Sequence, residues 1–565
     1  MRHSAAHVLA EAVTNLFPEA QLTIGPPIAD GFFYDFAISE PFTPEDIKRI
    51  ELKMRDSIKA NTKFVERETS RDEALELVKD NPYKVEILKA IPADERVTFC
   101  SHSDNAFEDL CRGGHMERTG DIKAYKLLSS AGAYWRGDEN NPMLQRIYGT
   151  AWESRDAQKD YLRRRDEAEK RDHRKLGRSL GLFFFDPIAP ASPFFLPKGT
   201  HVINSLIDYV RELYDAYGYQ EVITPQIFNT ELWKRSGHLD AYAENMYFLD
   251  VDEREFGVKP MNCPAAAMLY LANSRSYREL PIRMADFGRL HRNERSGVTH
   301  GLNRVRSFVQ DDAHIFCAFH QISAEITSFL QMLNESYKVF GFENTRFELS
   351  LRPEKRVGSD EMWDHAESIL TEVLDATGHK YTAQSGEGAF YGPKIDAFVP
   401  DAIGREWQLG TVQLDFSLPE RFDMEYTAEN GNRDRPVVIH RAMLGSLERF
   451  LGVLIEHLSG AFPMWLAPVQ AVIVPIADRH NEFCFEVGKR ISEAGFRVEV
   501  NDSNDRMNAK IRQAQLQKIP YMLVAGDREV EAKSLSVRTR SGDNLDPMSI
   551  DQVIDRFTKQ VADRS

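Results

Sequence analysis

Between residues 304 and 314 the chain reads Arg-Val-Arg-Ser-Phe-Val-Gln-Asp-Asp-Ala-His, and this alternation narrows the folds open to it. In an extended strand Arg304, Arg306, Phe308, Gln310, Asp312 and His314 project from one face, with Val305, Val309 and Ala313 on the other. A face whose members are polar apart from Phe308 cannot press against a dry core. It is either a half-exposed surface or a binding floor. Two arginines interleaved with an acid and a histidine suit a floor for an anionic substrate. Just upstream, Arg289 and His291–Glu294 supply a second arm, and the loop RSGVTHGLN between the arms is placed to fold over a nucleotide.

The surrounding sequence gives this strand its setting. Residues 183–199, rich in proline and aromatics, read as a domain entry. From 181 to 465, helices such as Thr200–Tyr217 accompany strands joined by short loops, which predicts a largely antiparallel sheet. No Walker-type loop and no G-x-G-x-x-G occurs, so any ATP is held another way. Residues 466–565 alternate strand and helix, a compact α/β unit. Residues 1–150 mix short helices and strands. Ser4–Phe17 reads as an amphipathic helix interrupted by His7, Glu11 and Asn15. Thr43–Asn61 reads as a second helix, with Thr43 as N-cap and Pro44 at its first position. Between them and the middle region, 151–180 is a charged linker. Its stretch Arg155–Arg178 holds ten basic and six acidic residues and suits a solvated connecting helix better than a dedicated RNA contact. The expected fold is multidomain α+β.

Composition removes whole classes of function. At 565 residues the chain is too long for one core. A net charge of −16 argues against a general nucleic-acid coat protein but leaves room for a local basic footprint. Five scattered cysteines suit a reducing compartment. Neither a membrane-length apolar run nor a signal-peptide core is present, so the expectation is a cytoplasmic protein with no membrane partner.

Three segments together carry a family resemblance. FGRLHRNE with its loop and following strand resembles motif 2 of class II aminoacyl-tRNA synthetases. GSLERFLGVLIEHL (445–458) resembles motif 3, and LYDAYGYQEVITP (213–225) resembles motif 1, which ends in the proline typical of that family's dimer interface. The resemblance implies an antiparallel-sheet catalytic domain that binds ATP with Mg²⁺ in a bent form, and a homodimer. It implies that Arg292 meets the α-phosphate, Glu294 the adenine, and Arg304 and Arg449 the outer phosphates, with Lys394, Gln408 and Ser446 as further nucleotide contacts. Arginine suits phosphate because its charge persists and its donors are forked.

Three more residues narrow the resemblance to threonyl-tRNA synthetases. Cys263, His314 and His440 lie 51 and 126 residues apart, which is no zinc-finger spacing, yet each matches a zinc ligand of that family. One zinc ion per subunit is implied, with Asp312, Gln310, Tyr391 and Gln413 around threonine. Gln408 and Gln413 have opposite strand parity, so a bulge or a turn near Gly410 must bring both inward. Serine also carries an amine and a hydroxyl, and a missing methyl is worth only roughly 10–200-fold. A second, hydrolytic site is therefore expected. His3 and His7 at i, i+4, followed by Asp109, Cys111 and His115, admit either a metal site or the metal-free editing site implied by the resemblance, with Lys84 as another editing residue. The C-terminal unit resembles the family's anticodon-binding domain, with Asn504, Arg512, Glu529 and Arg538 near the anticodon of tRNA(Thr). Family members commonly begin with a small ubiquitin-like domain, whereas this sequence opens within the editing domain. The rival readings are a non-catalytic RNA-binding relative and a paralogue for another amino acid.

Overall fold

The computed structural model describes residues 1–104, 106–138 and 140–564. It divides into two compact units, Met1–Asp166 and Glu167–Ser565, with the division inside the charged helix Arg155–Arg171. No residue of that helix is buried, as its paucity of apolar side chains requires.

The first unit is built around the helix Arg2–Leu16. Its alanines and Val8, Leu9 and Val13 favour a helix thin enough to be surrounded, and residues Ser4–Val13 are buried without a break. The expected amphipathic helix is thus a core helix, and His7 and Glu11 lie inside rather than on a wet face. It packs against the helix Pro44–Ala60 and an antiparallel sheet in the order Gln21–Leu22, Gly31–Ala37, Met143–Trp152, Ala124–Tyr134. The helix Pro44–Ala60 starts with a reciprocal cap between Thr43 and Asp46. A three-stranded sheet, Val65–Thr69, Val97–His102 and Phe107–Leu110, has its own small apolar cluster with the helices Arg71–Val78 and Pro82–Ala90.

The second unit holds a nine-stranded sheet. Its main path runs Gln220–Glu221, Ile282–Asp286, Ser307–Cys317, Val437–Ser446, Glu406–Asp415, Lys394–Pro400, Arg346–Ser350, Tyr381–Gln384, and Arg289–His291 also pairs with Ser307–Cys317. Only the pairs at the two ends of this path are parallel. The helices Pro197–Tyr217, Ile322–Val339, Asp360–Thr377 and Leu447–Leu458 bury their apolar stripes in the same core. The central strand starts at Ser307, three residues later than its alternation suggests. Arg304 and Arg306 belong to the loop instead, where the Arg306 amide donates to Ala191 O at 2.8 Å.

Residues from Ala471 onward form a five-stranded sheet, in which Val498–Val500, Ala471–Pro475 and Tyr521–Ala525 run parallel. Ser534–Thr539 and Met548–Ser549 complete it as antiparallel strands. The helices Asn481–Glu493, Met507–Leu516 and Ile550–Ala562 bury apolar residues in two clusters.

Candidate active site and metal centre

Strand register assembles the centre of the second unit. Lys394 lies opposite Gln413, Gln413 opposite His440, and His440 opposite His314, so residues far apart in the chain form one row across four strands. Side chains in such a row stand about 5 Å apart on one face. The next row, two residues along, joins Asp396, Thr411, Ala442 and Asp312.

Cys263 opens the helix Cys263–Leu271 and brings a thiol to the imidazole pair. Ligand atoms of Cys263, His314 and His440 lie within 4.8 Å of one another, and the two rings meet edge to face at 4.8 Å. His440 Nε2 is 2.9 Å from Asp415 Oδ2, and Asp415 Oδ1 accepts the Ser417 and Leu418 amides. A carboxylate behind a histidine fixes the ring and frees the other nitrogen for an ion. Burial alone would raise the Cys263 thiol, but hydrogen bonds from His238, His314 and His440 hold it well below its ordinary value. One thiolate and two imidazoles, with room for further ligands, fit a zinc ion in an open site.

Beside this group is a cavity of about 260 Å³ lined by His238, Tyr242, Cys263, Tyr391, Asp415 and His440. The Tyr391 hydroxyl donates to Gln413 Oε1 at 2.5 Å, and Asn262 Nδ2 donates to Asp312 Oδ2 at 2.9 Å. His238 and Asp415 are not among the residues singled out from sequence. His238 Nε2 stands 3.9 Å from Cys263 Sγ, and nothing in its local sequence distinguishes it from a surface histidine.

A second cavity, about 420 Å³, contains Arg292, Glu294, Arg304, Gln310, Gln408, Gln413, Ser446 and Arg449 in its walls. Gln408 and Gln413 reach it together because the ladder shifts register between Ala397 and Phe398, which leaves Leu409 as the extra residue beside Gly410. A Cβ at Gly410 would lie 2.5 Å from Leu333 Cδ1 and 2.7 Å from the Tyr337 hydroxyl, so a larger residue there would force these side chains to shift. Arg304 pairs with Glu294 at 2.9 Å, and Ser446 Oγ caps its helix by accepting the Arg449 amide at 3.1 Å. Arg449 Nε is buried with no hydrogen-bond partner, and burial together with Arg304 lowers the basicity of its guanidinium. An unpartnered cation here is a receptor for an anion. Lys394 points to Asp396 at 2.5 Å and is not part of the cavity wall.

Asp311 also escaped sequence reading. It is fully buried, and its carboxylate accepts the Met443, Leu444 and Gly445 amides at 2.8–3.1 Å. Between Asp312↔Ala442 and Gln310↔Ser446 the strand Val437–Ser446 carries two extra residues, and Asp311 satisfies this looped-out backbone. Arg441 lies beneath, 3.9 Å from Asp311 and against the rings of Tyr214 and Tyr219.

The first unit has its own cluster. His3 and His7 share a helix face, and His115 stacks on His3 at 4.3 Å and meets His7 edge to face at 4.4 Å. Cys111 Sγ lies 3.4 Å from His3 Nε2 and 3.1 Å from His115 Nε2. Burial depresses His7 well below its ordinary value and, with neighbouring histidines, brings His115 down to about 3, while burial lifts the Cys111 thiol to about 11. The four donors lie within 4.8 Å of one another, so they fit an ion as readily as a neutral donor cluster. Lys84 and Asp109 form a buried pair at 2.6 Å. Tyr34, unmarked in the sequence reading, donates its hydroxyl to Asp109. A cavity of about 600 Å³ is lined by His3, His7, Tyr34, Lys84, Asp109 and Cys111.

In the C-terminal sheet domain Asn504 sits in the loop after Val498–Val500, and Arg512 is exposed on the helix Met507–Leu516. Glu529 accepts from the Gly526 amide and the Ser536 hydroxyl, and Arg538 lies on the strand Ser534–Thr539 opposite Met522.

Comparison with known proteins finds likeness in three parts of the chain. The model for the class II core domain of tRNA synthetases (G, H, P, S and T) matches residues 247–458. An anticodon binding domain matches 470–560, and the second additional domain of threonyl and alanyl tRNA synthetases matches 97–148. The threonine–tRNA ligase of Caldanaerobacter subterraneus subsp. tengcongensis is 49% identical over 565 residues, covering 100% of this chain and 87% of that protein. That of Thermotoga neapolitana is 50% identical, covering 100% and 88%. A crystal structure described as the RNA binding domain of threonyl-tRNA synthetase from Cryptosporidium parvum superposes with a TM-score of 0.66 at 45% identity, over 69% of this chain and 98% of that one. Identity near one residue in two along the whole chain means that the chain belongs to the threonine–tRNA ligase (threonyl-tRNA synthetase) family.

Proposed function

We propose that this chain activates threonine with ATP, transfers it to tRNA(Thr), and hydrolyses mischarged seryl-tRNA(Thr) in its first unit. The observation that carries the reading is one thiol and two imidazoles near a cavity into whose wall Arg449 brings a buried Nε with no hydrogen-bond partner. A threonine carboxylate oxygen attacks the α-phosphorus of ATP and pyrophosphate leaves. A ribose hydroxyl of the tRNA end then attacks the threonyl carbonyl and AMP leaves. Arg292 and Arg449 offset the charge that develops on phosphate, Arg304 and Glu294 hold the nucleotide, and Gln408 and Ser446 complete its contacts. Mg²⁺ accompanies ATP.

Cys263, His314 and His440 would hold zinc, and the ion would supply open positions that an amine plus a hydroxyl can fill but valine cannot. Asp312, Gln310, Tyr391 and Gln413 orient threonine beside the ion. In the first unit His3, His7, Cys111 and His115, with the Lys84–Asp109 pair, position water at the ester of seryl-tRNA(Thr). Asn504, Arg512, Glu529 and Arg538 face the anticodon.

Cytoplasmic residence is supported by the five free cysteines. None of the described helices is long and apolar enough to cross a membrane. A homodimer is supported by Ile223, which is 90% exposed within the segment that resembles motif 1. The deciding experiment is pyrophosphate–ATP exchange with a panel of amino acids, alongside metal analysis. Threonine-dependent exchange by zinc-containing protein is the expected result, and its absence from folded, zinc-loaded protein would remove the proposal.

A further inference from the structure

The helix His173–Ser179 begins with a histidine that none of the chemistry above employs. His173 is fully buried and uses both ring nitrogens. Nδ1 lies 2.6 Å from Glu456 Oε1, on the helix that carries Arg449. Nε2 accepts the Leu302 amide at 2.9 Å. An amide can only donate, so Nε2 carries no proton, and the ring is the neutral tautomer that donates from Nδ1 to the carboxylate.

Leu302 belongs to the loop between Arg289–His291 and Ser307–Cys317, and the residues after it, Asn303, Arg304 and Val305, line the 420 Å³ cavity. The loop rests directly on the imidazole: a Cβ at Gly301, which has φ 49°, would lie 2.2 Å from His173 Nε2. A Cβ at Gly452, on the Arg449 helix, would lie 2.8 Å from Asn303 Oδ1. Loop, histidine and helix are thus in close contact.

The ends of the arrangement are anchored as well. Glu456 Oε2 accepts from Arg405 at 2.5 Å, and Arg405 also binds Asp401. Asp172 pairs with Arg174 at 2.6 Å. Asp172, His173 and Glu456 could geometrically gather around a cation. Each carboxylate already has a guanidinium, however, and neither imidazole nitrogen is spare, so the cluster works as a hydrogen-bonded strut.

We propose that His173 is a positioning residue for the nucleotide, holding the Leu302 turn against the Arg449 helix so that Arg304 and Arg449 face one cavity. This rests on the reading of that cavity as the ATP site. The test separates the two ring nitrogens. His173→Asn keeps a donor near the Nδ1 position for Glu456 but leaves the Leu302 amide without an acceptor. His173→Gln places an acceptor near the Nε2 position for Leu302 but gives up the short bond to Glu456. KM for ATP and for threonine would be measured by pyrophosphate–ATP exchange, with Tm recorded for each protein.

The Asn variant should raise KM for ATP about tenfold and leave KM for threonine unchanged. The Gln variant should return KM for ATP to within about twofold of the parent, at a lower Tm. A folded Asn variant with the parent's KM for ATP would overturn the proposal, as would equal rises in both KM values or equal impairment by Asn and Gln. If the Asn variant does not fold, hydrogen exchange on the unaltered protein decides. A protected Leu302 amide supports the strut, and exchange as fast as at exposed Gly297 overturns it. Parent protein without exchange activity would instead strike at the ATP-site reading itself.

Discussion

A thiol ligand differs from a hydroxyl chiefly in how readily it gives up its proton, and Cys263 is surrounded by groups that draw that proton away. Its three histidine neighbours favour the thiolate despite burial, the form a zinc ion takes. Cys263→Ser presents a neutral hydroxyl with the same reach. The variant should bind less than about a tenth of the parent's zinc and lose threonine-dependent exchange, with Tm close to that of the metal-stripped parent. Metal analysis and exchange assayed on the same preparation check this, and full activity in a metal-free sample would refute the role given to Cys263.

Where elements end, single side chains decide geometry. Asp311 meets the looped-out amides of Met443–Gly445, and this distortion lets the strand Val437–Ser446 run into the Arg449 helix. Asp172 does similar work at the start of His173–Ser179, where it accepts the Arg174 amide. Burial opposes its ionisation, but the Arg174 guanidinium and amide outweigh burial and hold its carboxyl at about 2, below the ordinary 3.8. A depressed folded value stabilises above the unfolded value and ceases to do so as pH falls through the folded one. Asp172→Ala should therefore cost about 1 kcal/mol at neutral pH. The gap should narrow as pH drops below 3.8 and close near 2. Unfolding curves of parent and variant from pH 7 to pH 3 test the trend, and a gap that widens on acidification contradicts it.

At the scale of the molecule, two compact units hold separate polar centres. Substitutions in distinct cores seldom couple. Changing His3 and His7 together to alanine should leave threonine-dependent exchange within about twofold of the parent while slowing hydrolysis of preformed seryl-tRNA(Thr) at least about tenfold. Unchanged serine release would show that the cluster is not the editor, and equal loss of both activities would indicate misfolding. Ile223 poses a separate question. Under the proposed homodimer, with the segment that resembles motif 1 at its interface, Ile223→Glu should shift the sedimenting species from dimer toward monomer. A sedimentation coefficient unchanged by the substitution would remove Ile223 from any interface.

Local chemistry was legible in the sequence wherever it depends on neighbours along the chain. The Thr43 cap, the helix expected over Thr200–Tyr217 and found from Pro197, the strand–helix alternation after residue 466 and an irregularity near Gly410 all follow from spacing, parity or side-chain reach within one segment. Tertiary structure decided what depends on neighbours across it. An apolar stretch interrupted by His7, Glu11 and Asn15 could not reveal that the first helix would be buried from Ser4 to Val13, because burial is set by what packs against it. Tyr34, His238, Asp311 and His173 gain their roles from Asp109, Cys263, Met443 and Glu456, partners 75, 25, 132 and 283 residues away. A side chain's chemistry is intrinsic to its type, but its protonation, its partner and its access to a cavity belong to the fold around it.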